Sequence, residues 1–264
     1  MSGSDSKDIA GLLKRLRGEY GQSGPVDSSP VLPPIDVAEP ILGEFLRAFL
    51  AWESTGSRAQ VALKRIEDSV VDFNELRICL PDELIRLMGD RYPRVEERAL
   101  RMRASLNDLY LRQHAVTLEH LRDLPTKDAK GFLESLDGVP RYVSSRVLLI
   151  CLGGHAAPVD GRICRRLVEA KLVDDAAAPE SAAIMLEKKT RTEDLPDLYR
   201  LLQAWADDAP VTASEAASET HGKNGKREPR VGSSSAGSEV GRKKPRAASG
   251  ASKEKAAAKK KADS

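Results

Sequence analysis

The sequence has little of what several large protein classes require. Aromatic residues make up 4% of its 264 positions, and it holds only three cysteines, Cys79, Cys151 and Cys164. These are dispersed and odd in number, which suits buried, reduced thiols. With no C-x-x-C pair and no four-cysteine cluster, neither a structural zinc nor an iron–sulfur cluster is expected. His114, His120 and His155 are scattered, with no carboxylate at ligand spacing, so no metal site and no cofactor are expected. No apolar run reaches the roughly 18 residues of a membrane span, and no membrane partner is expected. The opening MSGSDSKDIAGLLKRLRGEY lacks a signal-type apolar core, which points to the cytosol. Strands are missing too: no alternating run of β-branched residues is long enough for one.

Charge is present in quantity and is unevenly placed. From residue 211 onward there are 13 Lys+Arg against 6 Asp+Glu, which leaves 29 against 34 in residues 1–210. A net charge of +2 therefore hides an acidic body and a basic tail. The tail is rich in Lys, Ala, Ser and Gly and nearly empty of core-forming residues. It cannot bury enough apolar area to offset its chain entropy, and disorder is expected over 210–264. Such an arm either gains affinity for nucleic acid by displacing counterions from phosphates or serves as a solubilising extension.

The body reads as helix throughout. Residues 1–35 hold a first helix, with Ile9, Leu12, Leu13 and Leu16 on one face, Ser6 as its cap and Gly21 as its stop, followed by a Pro/Ser/Gly linker. From residue 36 to 209 a folded domain is expected. Ile41, Leu42, Phe45, Phe49 and Trp52 form a broad apolar stripe, Ser57 caps the next helix, and Pro81 opens another. PRVEERALRMRASLNDLYLRQH reads as a long helix whose i,i+4 charge pairs lie on its outer face. The fold class is all-α.

The most informative stretch is LESLDGVPRYVSSRVLLICLGG, residues 133–154. Two helices meet across Asp137-Gly138-Val139-Pro140, where glycine permits a reversal too short to be a loop of its own. Leu133 and Leu136 on one side and Val147, Leu148 and Ile150 on the other supply the packing. The second helix is expected to start at Pro140 and to point its free amides and positive dipole end outward, a setting that suits a phosphate. Arg141, Arg146, Arg162, Arg165 and Arg166 add positive charge nearby. Six residues past the second helix comes PVDGRI, in which Asp160 stands as an ordinary helix N-cap.

Together these residues resemble the helix-hairpin-helix (HhH-GPD) DNA glycosylases of the endonuclease III superfamily, whose hairpin typically runs L-P-G-V-G with a V-D at the end of the next segment. Leu136, Gly138, Val139, Arg141, Val147, Leu148, Gly153, Val159 and Asp160 follow that pattern without a gap over about 25 residues. FLAWEST resembles the family's early L-L-S-x-Q-x-T-D helix, with Thr55 matching and Glu53 standing where many members carry a Gln that helps fill the DNA gap. The resemblance implies a two-lobed helical fold and a protein that grips duplex DNA as a monomer. It implies a damaged base flipped into a pocket between the hairpin lobe and the helices from both chain ends. Gly138, Val139, Arg141, Tyr142, Arg146, Arg162 and Glu53 are then the DNA-binding candidates. Asp160 becomes the catalytic one, through activation of water or stabilisation of an oxocarbenium-like sugar. The implied location is the cytoplasm in association with the nucleoid, or the nucleus in a eukaryote.

Three departures modify that expectation. Members with a lyase step carry a hairpin-helix Lys that forms an imine; here the position is Tyr142, which cannot, so a monofunctional hydrolase is expected. Tyr142 either stacks at a pocket rim or packs as a half-buried core tyrosine. The second hairpin glycine is Pro140, which removes one possible phosphate donor while suiting a first helical turn. The four-cysteine loop of many members is missing. A binding module that kept the scaffold and lost the chemistry therefore stands beside the enzyme, and a helical protein adaptor stands behind both.

Overall fold

The computed structural model describes residues 8–21 and 39–209. The proposed Ser6 cap and the basic tail lie outside the described residues. Eleven α-helices and one short 3₁₀ helix, with no strand among the described residues, bear out the all-α expectation.

The helix α2 (Pro40–Ala51) is buried on nearly every side, by Ile41, Leu42, Phe45, Leu46, Phe49 and Leu50. A helix that is apolar all round belongs at the centre of a domain. Here it packs against α3 (Gly56–Glu67), α6 (Val95–Gln113) and α8 (Arg141–Cys151). Its one buried acid, Glu44, accepts the Nε–H of Arg146 from α8 at 2.5 Å. Arg146 is 4% exposed; it neutralises Glu44 inside the protein, which corrects the phosphate contact expected of it.

Around this axis the helices gather in two groups. On one side α4 (Phe73–Ile78), α5 (Pro81–Met88) and α6 stack with α3. Local caps fix their starts: Asp72 accepts the Glu75 amide at 2.8 Å, and Glu83 reaches back to the Leu80 amide at 2.8 Å. Thr55, not Ser57, caps α3, with its Oγ1 accepting the Arg58 amide at 3.3 Å. On the other side α9 (Gly161–Glu169), α10 (Pro179–Lys189) and α11 (Leu195–Asp207) pack together. The first helix, α1 (Ile9–Tyr20), folds back on α11. Leu12 and Leu16 are buried there, Arg17 Nε meets Asp197 at 2.8 Å, and Arg200 donates to the Tyr20 carbonyl at 3.2 Å. Although it precedes the 36–209 region, α1 packs into the same body.

Arg98 on α6 is fully buried and donates to the carbonyls of Phe49, Trp52 and Pro93. Phe49 lies in the last turn of α2 and Trp52 is its cap, so their oxygens have no helical partner of their own. Arg98 thus caps α2 from a different helix, with its positive charge at the negative end of the dipole. Burial lowers its pKa to about 10.

The helical hairpin comprises α7 (Thr126–Ser135), the turn 136–140 and α8. Pro140 is the N-cap and Arg141 the first helical residue, one position later than the sequence suggests. Leu133, Leu136, Val147 and Leu148 are buried as expected, whereas Ile150 is 41% exposed and faces outward. The turn is tied to α6: Asp108 accepts the Asp137 amide at 2.9 Å, and Arg101 donates to the Gly138 carbonyl at 3.2 Å. Gly138 has φ +75, and a Cβ there would stand 2.9 Å from the Arg101 carbonyl oxygen. Gly153, at φ +61, has open space around it. Gly138→Ala therefore suffers strain and overlap together, at about 2–4 kcal/mol, against about 1 kcal/mol of strain alone for Gly153→Ala. Urea midpoints of the two variants measure the difference; equal losses would show that the hairpin does not need its close approach to α6.

Candidate active site

Two carboxylates from distant parts of the chain meet at the start of α9. The preceding segment buries Ala156, Ala157 and Val159, and so delivers Asp160 to the helix terminus from inside the core. Asp160 is 2% exposed and extended in backbone, and its Oδ1 accepts the Ile163 amide at 2.9 Å. Its N-cap role is as the sequence suggests. The other oxygen, Oδ2, accepts the backbone N–H of Glu53 at 2.9 Å.

Glu53 returns the contact: its Oε1 accepts the Gly161 amide at 2.7 Å. A Cβ on residue 161 would lie 2.8 Å from that oxygen, so the Asp-Gly pair makes room for the second acid. Glu53 has φ +53, a left-handed backbone that only the Asx residues and glycine adopt cheaply. Arg94, also left-handed at φ +51, brings Nη1 to 3.9 Å from Oε1 and stacks on Trp52 at 4.6 Å. Burial, and next the Glu53 charge, raise the Asp160 pKa to about 6.

Arg162 locks this arrangement from below. It is 8% exposed and donates to the carbonyls of Ser54 and Ala206. It also lies 3.0 Å from Asp207, whose second oxygen accepts the Gly56 amide at 2.8 Å. This corrects a DNA-binding role for Arg162: its guanidinium is occupied in joining α9, α11 and the turn between α2 and α3. Tyr142 is likewise internal, at 2% exposure. Its hydroxyl lies 2.8 Å from that of Tyr199, and it donates to Gln203 at 3.2 Å. Of the two alternatives for Tyr142 the core tyrosine is observed. Arg141, one-third exposed, turns toward Glu187 at 3.8 Å. The hairpin sets Gly138 and the start of α8 at one end; the Val139 amide there already donates to the Leu136 carbonyl at 3.3 Å and the Val143 amide to the Pro140 carbonyl at 2.9 Å.

Other residues that build the site gave no sequence signal of their own: Arg94, Arg98 and Arg101 of the α6 segment, and Asp207 of α11. All three arginines lie within 5.5 Å of the Trp52 ring centroid. A cleft of about 350 Å³ beside α3 is lined by Arg58, Arg65 and Arg91, with an apolar wall of Val61, Met88 and Tyr92 and no carboxylate.

Neither a protein-family model nor a curated protein sequence matches the chain. Solved structures do. An endonuclease III trapped as a covalent DNA intermediate with an estranged adenine matches at TM-score 0.57 and 13% identity, covering 75% of this chain and 84% of that one. The fold is that of endonuclease III. A non-covalent endonuclease III–DNA complex matches at the same TM-score and identity, over 75% and 83% of the two chains. A thermostable thymine-DNA glycosylase matches at TM-score 0.51 and 13% identity, over 75% and 87%. In this endonuclease III fold the hairpin turn and the Asp160–Glu53 pair sit on elements that α6 connects, through Arg101 at Gly138 and Arg94 at Glu53.

Proposed function

We propose that the protein binds duplex DNA and hydrolyses the N-glycosidic bond of a flipped, damaged or mismatched base, without a lyase step. The observation that carries this reading is the buried Asp160 carboxylate, held at the start of α9 beside Glu53 with its pKa raised to about 6. A negative charge fixed in a site poor in water stabilises a sugar that becomes cationic as the base departs. The endonuclease III fold, and DNA in two of the matched structures, support duplex DNA as the partner. The cleft lined by Arg58, Arg65 and Arg91 and the positive dipole end of α8 are suited to backbone phosphates. Absence of a lyase step follows from Tyr142, a phenol buried where the resemblance places an amine.

A second reading is a DNA-binding module without chemistry. It is favoured by one observation: each Asp160 oxygen already holds a backbone N–H. A carboxylate offers about four acceptor directions, so these two bonds restrict Asp160 without exhausting it.

The deciding experiment uses the full chain on duplexes carrying uracil, thymine glycol, 8-oxoguanine, alkylated purines or mismatches. The expected result is base release from at least one duplex, with strand breaks only after alkali. Breaks without alkali would contradict the assignment of Tyr142. No release from any duplex, with binding that weakens steeply as salt rises, would establish the second reading.

A further inference from the structure

We infer that Glu53 is the general base of this site, the group that activates the attacking water. The inference rests on the hydrolytic reading above and divides its chemistry between two carboxylates whose surroundings differ.

Asp160 is 2% exposed and both of its oxygens hold backbone amides, so it acts on the sugar as a fixed charge. The Glu53 side chain is 19% exposed. Its Oε1 accepts the Gly161 amide, while no donor among the described residues bonds Oε2. That oxygen is the acceptor a water needs. Arg94, at 3.9 Å, sets positive charge beside the group, and the Glu53 charge is felt by the buried Arg98 and, on the α9 side, by Asp160 and Cys164. The left-handed backbone of Glu53 costs about 1 kcal/mol or more, and strain of this kind collects where a side chain must be aimed.

The step balances with water as the only co-reactant. The water oxygen bonds to C1′ as the C1′–N bond breaks, and that bond's electron pair leaves with the base. The water proton passes to Glu53 Oε2 and from there to the departing base. Asp160 faces the positive charge that develops on the sugar between the two events.

The test uses the full chain and a duplex that it cleaves. Glu53→Gln keeps an oxygen for the Gly161 amide, so its melting temperature and DNA affinity are expected to hold while kcat falls about 10²–10⁴-fold. Glu53→Ala in sodium azide is expected to recover base release, because azide attacks C1′ without losing a proton, and mass spectrometry should find the glycosyl azide. Asp160→Asn should gain nothing from azide. A Glu53→Gln variant within about threefold of the parent would overturn the assignment while leaving the hydrolytic reading intact. Loss in Glu53→Ala that azide does not restore would do the same and leave Glu53 as a second cap of α9. An unmodified chain that releases no base from any duplex would sink both.

Discussion

Asp160→Asn is expected to lower base release by about 10²–10³-fold at neutral pH without unfolding the protein. Asparagine caps helices as well as aspartate does, and its Oδ1 can still accept the Ile163 amide. What disappears is the charge, together with the bond from the Glu53 amide. That lost bond costs about 1 kcal/mol, and relief of the repulsion between two adjacent carboxylates acts against the loss. Stability should therefore depend on pH in a definite direction. The Asp160 pKa rises on folding to about 6. The native state then holds its proton more tightly than the unfolded chain does. The stability that this contributes is complete below about pH 4 and is lost as pH climbs through 6, amounting to about 3 kcal/mol. The asparagine variant lacks that loss. Urea unfolding of both proteins at pH 4 and pH 7 should show the difference in stability moving toward Asn by about 2–3 kcal/mol. A difference that stays constant would mean that Asp160 is not the buried, crowded acid described here. Release that survives the substitution would remove it from the chemistry.

Arg98→Met should be the most destabilising single change in the body, at about 3–5 kcal/mol. Methionine fills much of the volume, but it leaves the carbonyls of Phe49, Trp52 and Pro93 buried without donors. Three cation–ring and dipole interactions go with it, over Trp52, over Tyr92 and at the end of α2. Arg98→Lys should recover only part of the loss, because one ammonium cannot span three carbonyls as a guanidinium fork does. Denaturant midpoints with unchanged slopes would measure the effect. A loss below about 1 kcal/mol would place the cap elsewhere. The same change should slacken the turn that carries Glu53, which begins one residue past Trp52.

Some of this was legible in the amino acids and some was not, for physical reasons. The hairpin shows because glycine between two leucine-rich helices has few other uses, and the Asp160 cap shows because N-caps are local. Thr55 and Ser57 compete for one cap within S-T-G-S, and pattern alone does not choose between them. Glu53 and Asp160 are 107 residues apart, and nothing local signals that their backbones and carboxylates exchange bonds. Arg146 and Arg162 misled most. Arginine is taken as a surface residue or a phosphate ligand by default, yet each is buried among carbonyls or acids. Arg98, equally buried, lies on a helix whose charge spacing resembles a solvated face, so only the fold distinguishes it from the exposed Arg94 and the half-buried Arg101.

The clasp between α1 and α11 has a consequence in time. Arg17 meets a residue 180 positions later in the chain. At a synthesis rate of roughly 5–20 residues per second, the first helix waits on the order of ten seconds or more before its partner exists. Ile9, Leu12 and Leu16 are uncovered for that interval. Helix α1 is thus made well before the helix that covers it, and it settles only once α11 has been made.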